Sequence, residues 1–261
     1  VGGLVAPPLL AEAVVRFGWR GAVAVGAVVL GAIGVISIGL VIRNAPADIG
    51  LMPDGADHAP ALATGSRPGV TPRELLRDRV FQTVAVIVAV LFAATGSLIA
   101  NLPPIAQELG LEATPAAALV SVLSVAAIVG KLAFGLAAER IDKRLLLAVT
   151  IGLLAIFVLI LRSEPSPLVL TLGALLPGFA LGGVLPLWGA LLAEYWGSEG
   201  LGTAMGTMSP AATLLQVITM QLVPWCFDTY GTYQPAFLGY LGLLALALLG
   251  TTALPRPRAS E

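Results

Sequence analysis

The sequence predicts an all-α polytopic membrane protein, and three observations carry that expectation. The first is composition. Hydrophobic residues make up 57% of the 261-residue chain and charged residues 11%, against about 25% charged in an ordinary soluble domain. Mean hydropathy is +0.95. A soluble surface is largely polar and charged, so a single aqueous core does not require this much apolar side chain. The second is segment length. Seven stretches, at 21–42, 80–102, 116–138, 145–161, 168–193, 201–227 and 235–254, are apolar, and Lys131 is the one charge among them. A bilayer core needs about 20 such residues per helix. The third is periodicity. A transmembrane barrel would show alternating segments of about ten residues, and these stretches do not alternate.

The elements follow in order. Residues 1–15 are apolar but too short to cross a bilayer at about 1.5 Å per residue, so they read as the end of an eighth helix. The chain opens on Val1, with no basic region before its first apolar run, which argues against a signal peptide. The first span is expected at 21–42. Residues 43–78 hold five prolines and four glycines and read as a linker. Within it "TPRELLRD" (71–78) carries a helix start: Thr71 as N-cap, Pro72 at the first helical position, Glu74 closing a capping box. Six spans follow, and the last ends before the tail 255–261. The expected organisation is therefore 1–42, linker 43–78, a six-helix domain 79–254, and the tail.

Basic residues sort these loops into two sides. One side collects Arg43, Arg67, Arg73, Arg77, Arg79, Lys131, Arg140, Lys143, Arg144, Arg256 and Arg258; the other holds Arg16, Arg20 and Arg162. The positive-inside rule makes the first group cytoplasmic, with the linker and the C-terminus. The short link near Glu199 breaks the pattern, for it has no basic residue.

Several function classes lose support here. Net charge is −1, so nucleic acid is not an expected partner. Cys226 is the single cysteine and His58 the single histidine. One cysteine makes no intrachain disulfide, and a lone loop histidine is more often solvated than a ligand, so neither a metal site nor a cofactor is expected. An intramembrane enzyme would need a nucleophile with a base, or paired carboxylates. The spans contain no acid and no histidine, and no catalytic residue is assigned.

Four stretches, in order, resemble one family. "RFGWRGAVAVGAVVLG" (16–31), "RNAPADIGLMPDG" (43–55), "GKLAFGLAAERIDKR" (130–144) and "FDTYGTYQPAF" (227–237) are similar to segments of the major facilitator superfamily of secondary transporters, in its monocarboxylate and oxalate/formate branch. The resemblance implies two six-helix halves joined by a cytoplasmic loop. It would make this chain a C-terminal fragment that lacks helices one to four and most of five. The implied partners are a small-molecule solute, the lipid bilayer and that missing N-terminal half. Alone, such a fragment is expected not to transport.

The third stretch resembles the superfamily's G-x-x-x-D-R-x-G-R loop, between the eighth and ninth helices, which the family uses as a cytoplasmic latch. Its counterparts here are Gly130, Lys131, Gly135, Glu139, Arg140, Lys143 and Arg144, with Glu139 where Asp is usual and Asp142 where Gly is usual. Lys131, Gly135 and Glu139 are four apart and share a stripe. Gly130 and Gly135 are expected to let a neighbouring helix approach. Two readings stand for the basic residues: latch, or topology determinant alone. Lys131 lies about two turns inside the boundary and either snorkels or takes part in gating.

The resemblance also implies a central cavity lined by helices seven, eight, ten and eleven. Their polar residues supply Thr95 and Asn101, Ser121 and Ser124, Trp188, and Thr213 and Gln216 as cavity candidates, with Ser97 and Thr219 beside them. For each hydroxyl the alternative is a bond to a carbonyl one turn back. Asn101 and Gln216 stand first, because an unpaired amide costs more in lipid. Trp188 reads equally as an interfacial anchor or core filler. It neighbours "PGFALGGVLP" (177–186), with Gly178 and Gly182 in G-x-x-x-G spacing and prolines placed to break a helix. The expected function is alternating-access transport of a small organic solute, such as a mono- or dicarboxylate. The alternatives are efflux of amphipathic compounds and a non-transporting sensor or scaffold.

Overall fold

The computed structural model describes residues 2–40 and 70–255. Residues 43–55, His58, Arg67, Arg256 and Arg258 lie outside the described residues. Eight helices run through them: α1 (Gly2–Leu40), α2 (Pro72–Leu75), α3 (Arg79–Glu108), α4 (Ala113–Ala138), α5 (Lys143–Arg162), α6 (Pro167–Gly173), α7 (Leu175–Tyr230) and α8 (Gln234–Ala253). Seven segments are long and apolar enough to cross a membrane: Arg16–Gly39, Arg79–Glu108, Ala113–Ala138, Lys143–Arg162, Pro167–Gly197, Gly200–Tyr230 and Gln234–Ala253. They match the seven expected stretches, and most run further at their ends.

The chain divides into two units, Val1–Arg67 and Pro68–Glu261. In the first, α1 is interrupted at Gly18, whose φ of 69° and ψ of 165° belong to a region that only glycine populates freely. The break falls inside the "RFGWRG" run, where a turn is expected. Arg20 lies over the Trp19 ring at 5.0 Å.

In the second unit the helix starts are written locally. Thr71 Oγ1 accepts the Glu74 N–H, and Glu74 Oε2 accepts the Thr71 N–H at 2.9 Å, which completes the expected capping box. The Thr71 backbone N–H, and after it the Thr71 hydroxyl, hold the Glu74 carboxyl below its ordinary range. Asp78 caps α3 through the Val80 N–H, and Asp142 caps α5 through the Arg144 N–H, both at 2.9 Å.

Helix α3 is central. It packs on α7, α8 and α4, and its Phe81, Ile87, Leu91, Leu98 and Leu102 are fully buried with Leu154 and Phe157 of α5 and Leu187 of α7. Lipid tails are as apolar as leucine, so helices within a membrane associate through close packing and hydrogen bonds. Helices α4 and α7 meet in that way. A Cβ on Gly178 would lie 2.3 Å from the Leu123 carbonyl oxygen, one on Gly182 2.4 Å from that of Ala127, and one on Gly130 2.3 Å from that of Phe179. The G-x-x-x-G run and Gly130 thus face one another backbone to backbone. Gly135 differs from expectation, for nothing lies within 4 Å of its Cβ position. One turn past Gly130 the contact passes to Phe134, whose ring fills the space beside Gly183.

The prolines of "PGFALGGVLP" do not break α7, which runs through Pro186; the non-helical residue is Gly197, at φ 73° and ψ 171°. There α7 folds back on itself, since a Cβ on Gly189 would lie 3.7 Å from Met205 Cε, these two residues being eight either side of the bend. The second arm ends at Gly231, a left-handed C-cap whose N–H bonds the Phe227 carbonyl at 2.8 Å. Phe227 stacks on Tyr233 at 4.6 Å, so the "FDTYGTYQPAF" run is a tight aromatic turn into α8.

Candidate functional site

Two faces of α3 meet the rest of the bundle, one polar and one apolar. Ser97 donates to the Thr219 carbonyl at 2.9 Å, and Tyr240 donates to Ser97. Asn101 Nδ2 donates to the Ser97 carbonyl at 2.9 Å and to that of Met220 at 3.3 Å. Thr219 Oγ1 bonds the Leu215 carbonyl at 3.0 Å and reaches that of Ala93 at 3.4 Å. Together these bonds staple α3, α7 and α8 inside the bundle. Asn101 thus has its amide committed to protein partners, and Thr95 is 1% exposed with its hydroxyl on the Leu91 carbonyl at 2.6 Å.

A second face of α3 stays partly open. Ala85, Phe92, Gly96, Ile99 and Pro103 are half-buried and fall at helical spacing. Pro103 has no N–H, so the Ile99 carbonyl on this stripe has no intrahelical donor. Two side chains lean on the stripe from the two arms of α7. Trp188 meets the Phe92 ring edge-on at 5.3 Å, and its Nε1 is buried without an acceptor among the described residues. Gln216 lies flat on Gly96: a Cβ there would sit 2.0 Å from its Nε2. Its side-chain amide makes no hydrogen bond among the described residues. Phe92 and Gly96 are four apart, so these unpaired donors address α3 about 6 Å from each other along its axis. All three elements are near mid-span.

The structure therefore brings together Trp188 and Gln216 and commits Thr95 and Asn101 elsewhere. Ser121, Ser124 and Thr213 are exposed on α4 and on the second arm of α7, and Ser124 bonds the Val120 carbonyl at 2.8 Å. Tyr240 and Gly96 went unread in the sequence. Neither has a local signal, because their partners on the facing helices, Ser97 for Tyr240 and Gln216 for Gly96, stand over a hundred residues away.

At the end of the bundle holding the α4–α5 turn, charges knit three helix ends together. Lys143 Nζ pairs with Glu194 at 2.9 Å. Arg144 pairs with Asp142 at 2.9 Å and donates to the Leu254 carbonyl at 2.8 Å. Tyr195 donates to the Pro255 carbonyl at 2.7 Å. Lys131, Glu139 and Arg140 are exposed, and Lys131 has no ion pair among the described residues. Asp142 was legible as an acid just before a helix; nothing in the sequence points from Lys143 to Glu194, because Asp142 and Glu139 are nearer acids along the chain.

Residues 84–261 match the sequence pattern of the Major Facilitator Superfamily. The chain belongs to that superfamily. It is an integral membrane protein. Monocarboxylate transporter 12 of Mus musculus is 30% identical over 182 residues, covering 64% of this chain and 36% of the mouse protein. Its Rattus norvegicus counterpart is 31% identical over 180 residues with the same coverage. The chain therefore spans well under two thirds of the relatives it matches. The superfamily match takes in all but the first turn of α3, and α4 to α8, so every helix of the open face is covered.

Proposed function

We propose that this chain supplies one half of a secondary transporter that moves a small monocarboxylate by alternating access. Superfamily membership supports the mechanism, in which two six-helix halves rock about a mid-membrane site. The likeness to monocarboxylate transporter 12 supports the solute class. The observation that carries the reading is the buried, unpaired Trp188 Nε1. An indole N–H is a donor only. Left unpaired it costs about 1–3 kcal/mol, so its natural partner is an acceptor that arrives with the solute. A carboxylate oxygen fits, with the Gln216 amide as second donor and Phe92 and Ile99 as apolar wall. The apolar stretches from 80–102 to 235–254 contain one cation, Lys131, about two turns before the end of α4. In this reading neutral donors orient the anion and the other half supplies any balancing charge.

The cytoplasmic end is then the one carrying Arg79, Lys143 and Arg144. The Lys143–Glu194 pair and the Arg144 contacts form the latch that holds the helix ends together while that side is closed. Gly130 sets the α4–α7 spacing beneath it. Glu139 and Arg140 meet the headgroups, and Lys131 snorkels toward them.

The test is labelled lactate counterflow in proteoliposomes, using the chain alone and the chain joined to its upstream coding sequence. Saturable exchange by the joined protein is expected, and none by the 261-residue chain. In the joined protein Trp188→Phe should raise KM by about 10- to 100-fold, the worth of a hydrogen bond to a charged acceptor. Competition by neutral amphipaths but not by monocarboxylates would turn the solute assignment toward efflux of apolar compounds.

A further inference from the structure

A trough runs between α3 and α8 on the side of α3 away from the Phe92–Gly96 stripe. At 100° per residue, its α3 residues Thr83, Val86 and Ile87 lie roughly opposite that stripe. Leu246, Leu249 and Gly250 of α8 form the other wall, and the open groove between them has a volume of about 350 Å³. Its origin is local. A Cβ on Gly250 would lie 3.1 Å from Ile87, so α8 touches α3 through bare backbone at that rung. Val86, Leu246 and Leu249 stay exposed beside it.

The mouth of the trough is polar and its interior is not. Gln82 Nε2 donates to the Leu76 carbonyl at 2.7 Å, and the Thr83 hydroxyl to the Arg79 carbonyl at 2.9 Å. Both groups are satisfied, so the trough offers a guest almost only hydrocarbon. It runs about 10 Å along α8, from Leu246 to Ala253. That is most of the roughly 15 Å hydrocarbon depth of one leaflet.

Exposed cations stand at this end of α3. Arg79 is one turn before Thr83 on the same stripe. Arg73, Arg77 and Arg79 are exposed and make no ion pair with a described residue. The acids between them are engaged: Glu74 by Thr71 and Asp78 by the Val80 N–H. Exposed Leu76 lies among them, as at a headgroup boundary. We propose that this trough holds one acyl chain of an anionic phospholipid, with the phosphate on Arg79 and with Arg77 beside it.

The experiment is native mass spectrometry of the protein released from nanodiscs of equal phosphatidylglycerol and phosphatidylcholine. One phosphatidylglycerol should be retained in preference to phosphatidylcholine. Arg79→Gln should lower that retention about fivefold, as expected for one interfacial arginine, and Arg79→Lys should keep most of it. Val86→Trp, apolar and lipid-facing, should fill the trough and lower retention with Arg79 intact. Monodisperse elution checks each variant's fold, and glycerol phosphate added to the unaltered protein should displace nothing. Equal retention of both lipids overturns the proposal, as does indifference to Arg79→Gln. Displacement by glycerol phosphate would show a free-anion site and overturn it too.

Discussion

At the scale of single residues, the open stripe of α3 separates solute contacts from structural ones. Trp188 Nε1 has no partner among the described residues, so Trp188→Phe removes an unmet donor and should leave Tm unchanged or slightly raised while transport suffers. A drop in Tm of several degrees would make Trp188 core filler instead. Ser97 is the contrasting case. It joins Tyr240 to the Thr219 carbonyl inside the bundle, so Ser97→Ala should cost about 1–3 kcal/mol by leaving buried groups unpaired, read as a lower Tm in detergent. Gly96→Ala tests how the amide is held. Its methyl would land on Gln216 Nε2, the far end of a flexible side chain, which swings away. KM should rise as in Gln216→Leu, with little change in stability. Such assignments were only half legible in the sequence. A helical pattern marks Asn101 and Gln216 as polar residues in apolar spans, and nothing in it says that Met220 lies beside one and bare Gly96 beside the other.

At the scale of elements, the α4–α7 seam depends on glycines that meet backbone. Gly182→Val would press against the Ala127 carbonyl and the Lys131 N–H, neither of which moves without its helix. Overpacking of this kind costs about 1–3 kcal/mol or more, and thermal unfolding should show it. Gly135→Ala meets nothing and should be neutral or stabilising by up to about 1 kcal/mol through helix propensity. Helix α2 makes a pH prediction. The Glu74 carboxyl titrates below its ordinary 4.5 in the folded chain. Its support for the helix is therefore complete above that ordinary value and is lost as pH falls through the lowered one. Faster amide hydrogen exchange at Glu74 than in Glu74→Gln at neutral pH would contradict it. Caps and spans were readable because their causes are local: Thr71, Pro72 and Glu74 are neighbours, and an apolar run of twenty residues declares itself. The seam was readable in part. G-x-x-x-G marked one partner, whereas Gly135 carried the same letter with no helix opposite it.

At the scale of the molecule, the charged end of the bundle sets a latch prediction. Lys143 and Glu194 are part-exposed, so the pair is worth at most about 1 kcal/mol to folding. Glu194→Gln should hardly shift Tm yet should change the ratio of inward- to outward-open states, read by cysteine accessibility from the two sides. Sidedness has its own check: reagents outside an intact cell should label an engineered cysteine beside Arg162 and spare one beside Lys143. The hairpin at Gly197 bears on how the protein is made. Its two arms are joined almost without a loop, and "YWGSEGLG" (195–202) holds no lysine or arginine that could decide which side it stays on. A translocon handling the arms singly would receive no instruction for the second. The pair must therefore enter the bilayer together, oriented by the arginines and lysines of its neighbours, and a basic residue added at the bend should leave its orientation as it was.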